Sequence, residues 1–159
     1  MKPAILLAST MVPMVIGFIW YNEKTFGNAW MKETGMTREK AKEANMLKTF
    51  GFSLLFSLMA STVLYQLVIH QNALPSLVMG DQSPATQEWL KDAMSRYGAN
   101  FRTFKHGMLH GFMTGLFLAL PIVGLSSQFE KKSWKYIFIT AGYWIVSMML
   151  MGGIICQWG

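Results

Sequence analysis

The sequence predicts an all-α integral membrane protein: a four-helix bundle with an interfacial segment after helix 1 and an amphipathic helix in the loop between helices 2 and 3. Two observations carry that prediction. Only 14 % of the 159 residues are charged while 52 % are apolar, against roughly 25 % charge in a soluble domain. The charges also gather in three stretches, leaving four apolar runs near the roughly 20 residues that a helix needs to cross a ~30 Å hydrocarbon core. A charge at the centre of a bilayer helix costs at least ~2.5 kcal/mol, which is the physical reason for that segregation.

The four runs cover about 3–21, 50–69, 104–125 and 134–157, one membrane domain over residues 1–159. The first begins after Lys2 and is longer than the apolar core of a leader peptide. No A-x-A cleavage pattern follows it, so it is expected to be a retained helix, bent at Pro13. Trp20 and Tyr21 close it. Trp134 and Tyr136 open the fourth run and Trp158 closes it. Such residues favour the headgroup zone, where the ring is dry and one edge is wet. The third run is expected to bend at Pro121.

The loops carry structure of their own. After the first span, Phe26, Trp30 and Met31 interleave with polar residues, which suits a segment in the membrane interface. Gly35 interrupts it. Thr37 can cap a helix over 38–45 that is expected to run on into the second span, with Glu39 and Lys42 paired along it. In the middle loop Ser83 suits an N-cap, Pro84 the first helical position and Gly98 the position after the end. Between them Trp89, Leu90, Ala93, Met94 and Tyr97 form one apolar stripe, which can lie on the membrane or over the mouth of the bundle.

Charge bears on both orientation and partners. The first and third loops hold Lys24, Lys32, Arg38, Lys40, Lys42, Lys48, Lys131, Lys132 and Lys135. The other side holds Lys2, Lys91, Arg96, Arg102 and Lys105. The positive-inside rule therefore predicts loops one and three in the cytoplasm, with both termini and the middle loop outside. The formal net charge of +6 sits beside the spans, where anionic headgroups are the natural counterpart. The lipid bilayer is thus the expected partner, and nucleic acid is not. The single cysteine, Cys156, cannot pair within the chain.

Gly107, Gly111 and Gly115 recur every four residues in the third span, a doubled G-x-x-x-G against which another helix can approach closely. The fourth span carries Ala141, Gly142, Ser147, Gly152 and Gly153. Close contacts are expected both within one chain and between copies. The expected protein partners are the chain itself, as a homo-oligomer, or other membrane proteins.

All three histidines fall on one side of the membrane: His70 at the end of the second span, His106 and His110 at the start of the third. Four residues apart on a helix puts two imidazoles on one face. Three readings compete. In the preferred one the histidines are interfacial polar residues bonded to loops and headgroups, and no cofactor is expected. In the second a divalent metal sits on His106 and His110, with or without His70, and Asp81, Glu88 and Asp92 from the middle loop could complete the site. In the third, His70 and one of the other two sandwich a haem between spans. H-x-x-x-H lacks the glutamate of the zinc-protease motif. No nucleophile–base pair, phosphate loop or paired carboxylate accompanies it, so nothing supports enzyme activity. No Asp, Glu, Lys or Arg lies mid-span, which argues against an ion-coupled transporter.

Gly17-Phe-Ile-Trp20-Tyr21, then Phe26-Gly27, Trp30-Met31-Lys32 and Gly35, resembles the start of a bacterial membrane-protein family known as domain of unknown function 1761. Asn45-Met46, Gly111, Gly115, Pro121, Phe129-Glu130, Ala141-Gly142-Tyr143-Trp144 and Gly152 fit its later landmarks, so the likeness covers nearly the whole chain. The middle loop is longer than the family pattern leads one to expect. The resemblance implies four spans in a bacterial inner (cytoplasmic) membrane and no activity. Trp20, Tyr21, Phe26, Trp30 and Trp134 are expected to anchor the helix ends or to form a partner surface. Taken together, the sequence predicts a non-enzymatic membrane protein that self-associates or serves as an accessory subunit. A metal- or haem-binding protein is the first alternative, and a small carrier or channel formed by an oligomer the second.

Overall fold

A computed structural model describes residues 1–159. Helix α1 (Pro3–Trp20) is followed by two short helices, α2 (Gly27–Thr34) and α3 (Arg38–Lys42), then α4 (Met46–Val68). A 3₁₀ turn (His70–Asn72), α5 (Ala73–Leu77) and α6 (Pro84–Tyr97) form the middle loop. Helix α7 (Phe104–Thr114) continues through a π turn (Gly115–Ala119) into α8 (Leu120–Phe129), and α9 (Trp134–Trp158) completes the chain. Four segments are long and apolar enough to cross a membrane: Pro3–Trp20, Met46–Val68, Phe104–Phe129 and Trp134–Trp158.

The bundle is packed for lipid. Leu7, Met11, Val15 and Phe18 form an outward stripe on α1, and Phe52, Phe56, Met59 and Val63 do the same on α4. The fully buried side chains include Ser9, Ser61 and Ser147. Acyl chains are as apolar as leucine, so small residues can share the helix contacts with large apolar ones such as Leu64, Ile137, Met151 and Ile155. Ser9 Oγ donates to Ser61 Oγ across α1 and α4 at 3.1 Å.

Helix α9 is the central strut, and its tightest neighbour is α7. A Cβ on Gly107 would stand 2.1 Å from the Gly152 carbonyl oxygen, and one on Gly111 the same distance from that of Met148. One on Gly115 would meet Ile145 Cα at 2.6 Å. The glycine stripe is therefore filled by α9 of the same chain. At the end where α4 finishes and α7 starts, Leu64, Val68, Ile69, Met151, Ile155 and Cys156 form an apolar cluster that Met1 packs against. Both termini thus lie at the histidine end.

Several local expectations change. The second span starts at Met46 rather than near residue 50, and α3 does not run into it. Asn45 adopts an extended conformation and its side chain accepts from the Lys48 N–H, capping α4 as a fresh helix. Glu39 and Lys42 do not pair; Arg38 reaches back to Glu23 at 2.8 Å. The third span runs on to Phe129. Pro121 lacks an N–H, and a π turn over Gly115–Ala119 precedes it in the span. Ser83 caps α6 as expected. Of its stripe only Ala93 is buried and Leu90 half-buried, while Trp89 and Tyr97 face outward.

The aromatic anchors form a cluster at the opposite end. Phe26 lies on Trp20 with centroids 4.6 Å apart, and Trp30 meets Tyr21 edge-on at 5.4 Å. Trp20 Nε1 donates to the Ile139 carbonyl at 3.0 Å, tying α1 to α9. Trp134 stays largely exposed.

Candidate metal centre

The histidines lie on two elements. His106 and His110 are one turn apart on α7, each directly before a glycine that faces α9. A one-residue step turns about 100° around a helix, so pressing Gly107 and Gly111 onto α9 swings the imidazoles to the neighbouring face. Thr103 starts this helix by accepting from the His106 N–H. His70 arrives from the 3₁₀ turn after α4. That turn is held on both sides: Ile69 and Val68 are buried in the apolar cluster. Gln71 Nε2 donates to the carbonyls of Tyr97 and Asn100 at 2.9 and 2.8 Å.

The result is a triangle of Nε2 atoms. His70 to His110 is 3.1 Å, His106 to His110 is 3.1 Å, and His70 to His106 is 3.4 Å. These three contacts cannot all be hydrogen bonds. Each Nε2 of a neutral imidazole is either a donor or an acceptor, so among three mutual neighbours at least two are alike and oppose each other. A cation removes the conflict, because it accepts all three lone pairs at once.

The spacing suits a transition metal. With metal–nitrogen bonds of about 2.0–2.1 Å, two ligands of a tetrahedral ion are about 3.3–3.4 Å apart. The triangle lies close to that. It does not suit a haem, whose axial ligands approach from opposite faces of the ring. His70 is exposed and the other two are half-buried, so the cluster opens to the surroundings.

No carboxylate joins the cluster. Asp81 accepts instead from the Ser83 N–H and the Thr86 hydroxyl, which hold its carboxyl below the usual range, and Asp92 pairs with Arg96. The expected contribution of Asp81, Glu88 or Asp92 is thus not part of the cluster. Its surroundings contain residues that the sequence did not single out. The Phe101 ring lies 5.2 Å from that of His106 and 6.0 Å from that of His70. Its backbone has φ 61°, a left-handed conformation unfavourable for a residue with a Cβ. The Phe101 carbonyl accepts from the Thr103 N–H and from Cys156 Sγ, which also lies 3.6 Å from the Val68 carbonyl. Arg102 caps the end of α9 through the Cys156 and Gly159 carbonyls. A polar His70-Gln71-Asn72 triplet directly after an apolar run was the one signal for Gln71. Nothing local marks Phe101.

No curated protein and no solved structure matches this chain. A family model does, over residues 4–156, and its span takes in nearly the whole of the four membrane-length helices and all three histidines. The chain belongs to the family of proteins of unknown function DUF1761.

Proposed function

We propose that this protein holds a divalent transition-metal ion at His70, His106 and His110, as a non-enzymatic multi-pass protein of a bacterial inner membrane. One observation carries the reading: three Nε2 atoms within 3.4 Å of one another, an arrangement that hydrogen bonding alone leaves in conflict. Three neutral imidazoles without thiolate or carboxylate suit Zn²⁺ or Cu²⁺ and not Mg²⁺ or Ca²⁺. The proposal is for binding alone: no carboxylate joins the imidazoles in the cluster, and a three-histidine set with an open side is shared by binding sites and by catalytic zinc sites. The basic first and third loops favour placing the site on the outer face.

The test is metal analysis of the detergent-purified protein after equilibration with Zn²⁺ or Cu²⁺ and dialysis. About one ion per chain is expected, and none in the His106→Ala, His110→Ala double variant. The reading fails if no metal is retained, or if the double variant retains as much as the parent. Association with itself or with other membrane proteins stays a proposal for size measurement in lipid. The glycine stripe that suggested it is occupied by α9.

A further inference from the structure

At the membrane end opposite the histidines, α1, α4 and α9 part around a cavity of about 530 Å³. That volume is in the range of small-molecule sites, roughly 300–1,000 Å³. Phe18 and Phe50, with centroids 6.2 Å apart, form its apolar side, and Tyr143 of α9 lies at the back. Ser53 and Ser57 of α4 line the same space.

The two serines are the informative residues. A hydroxyl within an apolar helix ordinarily returns to the carbonyl four residues before it. Thr62 does so onto Leu58, and Thr10 onto Leu6. Ser53 and Ser57 make no such bond. The Thr140 and Ser147 hydroxyls also lack a partner but are buried, whereas Ser53 and Ser57 line this cavity and can bond with what enters it. The cavity also offers no uncompensated charge. Glu23, at its mouth, is paired with Arg38, and no Lys, Arg or His lines it. Phe18 is 66 % exposed on the outer surface of α1, which places the entrance on the lipid side.

We infer that this cavity binds an uncharged amphiphile drawn from the membrane: an apolar body carrying one hydroxyl or carbonyl group that bonds with Ser53 and Ser57. A charged headgroup would lose its hydration among Phe18, Phe50 and Tyr143 without gaining a counter-ion. Membrane alcohols of the diacylglycerol type and membrane quinones share the required chemistry. The inference is independent of the histidines.

The experiment uses the full chain in phosphatidylcholine nanodiscs and reads its thermal midpoint against four probes: dioctanoylglycerol, a decyl-substituted benzoquinone, dodecyltrimethylammonium and dodecanoate. A saturable rise with at least one neutral probe, and none with the charged pair, is expected. Which neutral probe acts distinguishes the alcohol from the quinone. Gly17→Leu should abolish the response. A Cβ at Gly17 meets only Tyr143, at an ordinary 3.7 Å, so the new side chain fills the cavity without displacing backbone. The Ser53→Ala, Ser57→Ala double variant keeps the packing and should weaken the response about tenfold, the worth of one or two hydrogen bonds. It decides the matter should Gly17→Leu fail to fold. The inference is overturned if neither neutral probe shifts the midpoint, if charged probes act equally, or if the serine double variant responds like the parent.

Discussion

The Nε2 atoms of His70 and His110 lie 3.1 Å apart although 40 residues of chain separate them. Helix α7 by itself supplies two ligands, and His70 supplies the third only because α4 ends beside the start of α7. Removing His70 should therefore cost as much metal affinity as removing either helical histidine. His70→Ala and His110→Ala are each expected to weaken Zn²⁺ binding by more than about 100-fold, beyond the 10–100-fold typical of losing an outer-shell partner. Titration calorimetry in detergent measures it. Parent-like affinity in His70→Ala would leave α7 as a two-ligand surface site.

Gln71 keeps the 3₁₀ turn docked on the loop after α6 through two hydrogen bonds. Gln71→Leu deletes both and leaves the Tyr97 and Asn100 carbonyls without this partner. A stability loss of about 1–3 kcal/mol is expected, together with a fall in metal affinity because His70 is no longer held. Unchanged affinity in a destabilised variant would separate the two effects and remove the positioning role from Gln71.

The α7–α9 contact sets a second expectation. Gly111→Ala puts a Cβ 2.1 Å from the Met148 carbonyl oxygen, so the helices must part, at a cost of about 1–3 kcal/mol or more. Gly124→Ala on α8 has open space within 4 Å and should be neutral or stabilising by up to about 1 kcal/mol. Unfolding in mixed detergent with a denaturing amphiphile compares the two. Equal behaviour would contradict the packing described for α9.

The start of α6 should respond to acid. Asp81 accepts from Ser83 and Thr86, and those bonds hold its carboxyl below the ordinary value. A carboxyl depressed in the folded state stabilises it above the unfolded pKa of roughly 3.9, and that contribution disappears as pH falls through the lower folded value. Hydrogen exchange of the first turn of α6 should therefore accelerate below about pH 4 relative to its C-terminal half. In Asp81→Asn the difference between the two halves should become independent of pH. A parent-like acid response in that variant would place the titrating group elsewhere.

Much of the molecule is legible in one dimension. The number of spans follows from the cost of a charge in hydrocarbon. The caps Ser83 and Thr37 follow from side chains that reach their own helix start. The pairing of His106 with His110 and the row Gly107, Gly111 and Gly115 follow from 3.6 residues per turn. Each of these depends on neighbours within a few residues, which is what a sequence displays directly. The break at Asn45 is a cap of the same local kind, its side chain accepting from the Lys48 N–H, and was equally legible. The π turn before Pro121 was not, because it turns on how a helix meets its surroundings.

What the sequence by itself determined is thus a set of four membrane helices, their caps and the faces each one presents. Only the tertiary structure decided that α9 fills the glycine stripe, that His70 joins α7, that Phe101 takes a left-handed turn against the imidazoles, and that a cavity opens beside Ser53 and Ser57. The physical reason lies in the solvent. In a bilayer the outward and inward faces of a helix are nearly equally apolar, so hydropathy does not announce which faces meet, and the choice falls to close packing among small residues far apart in the chain.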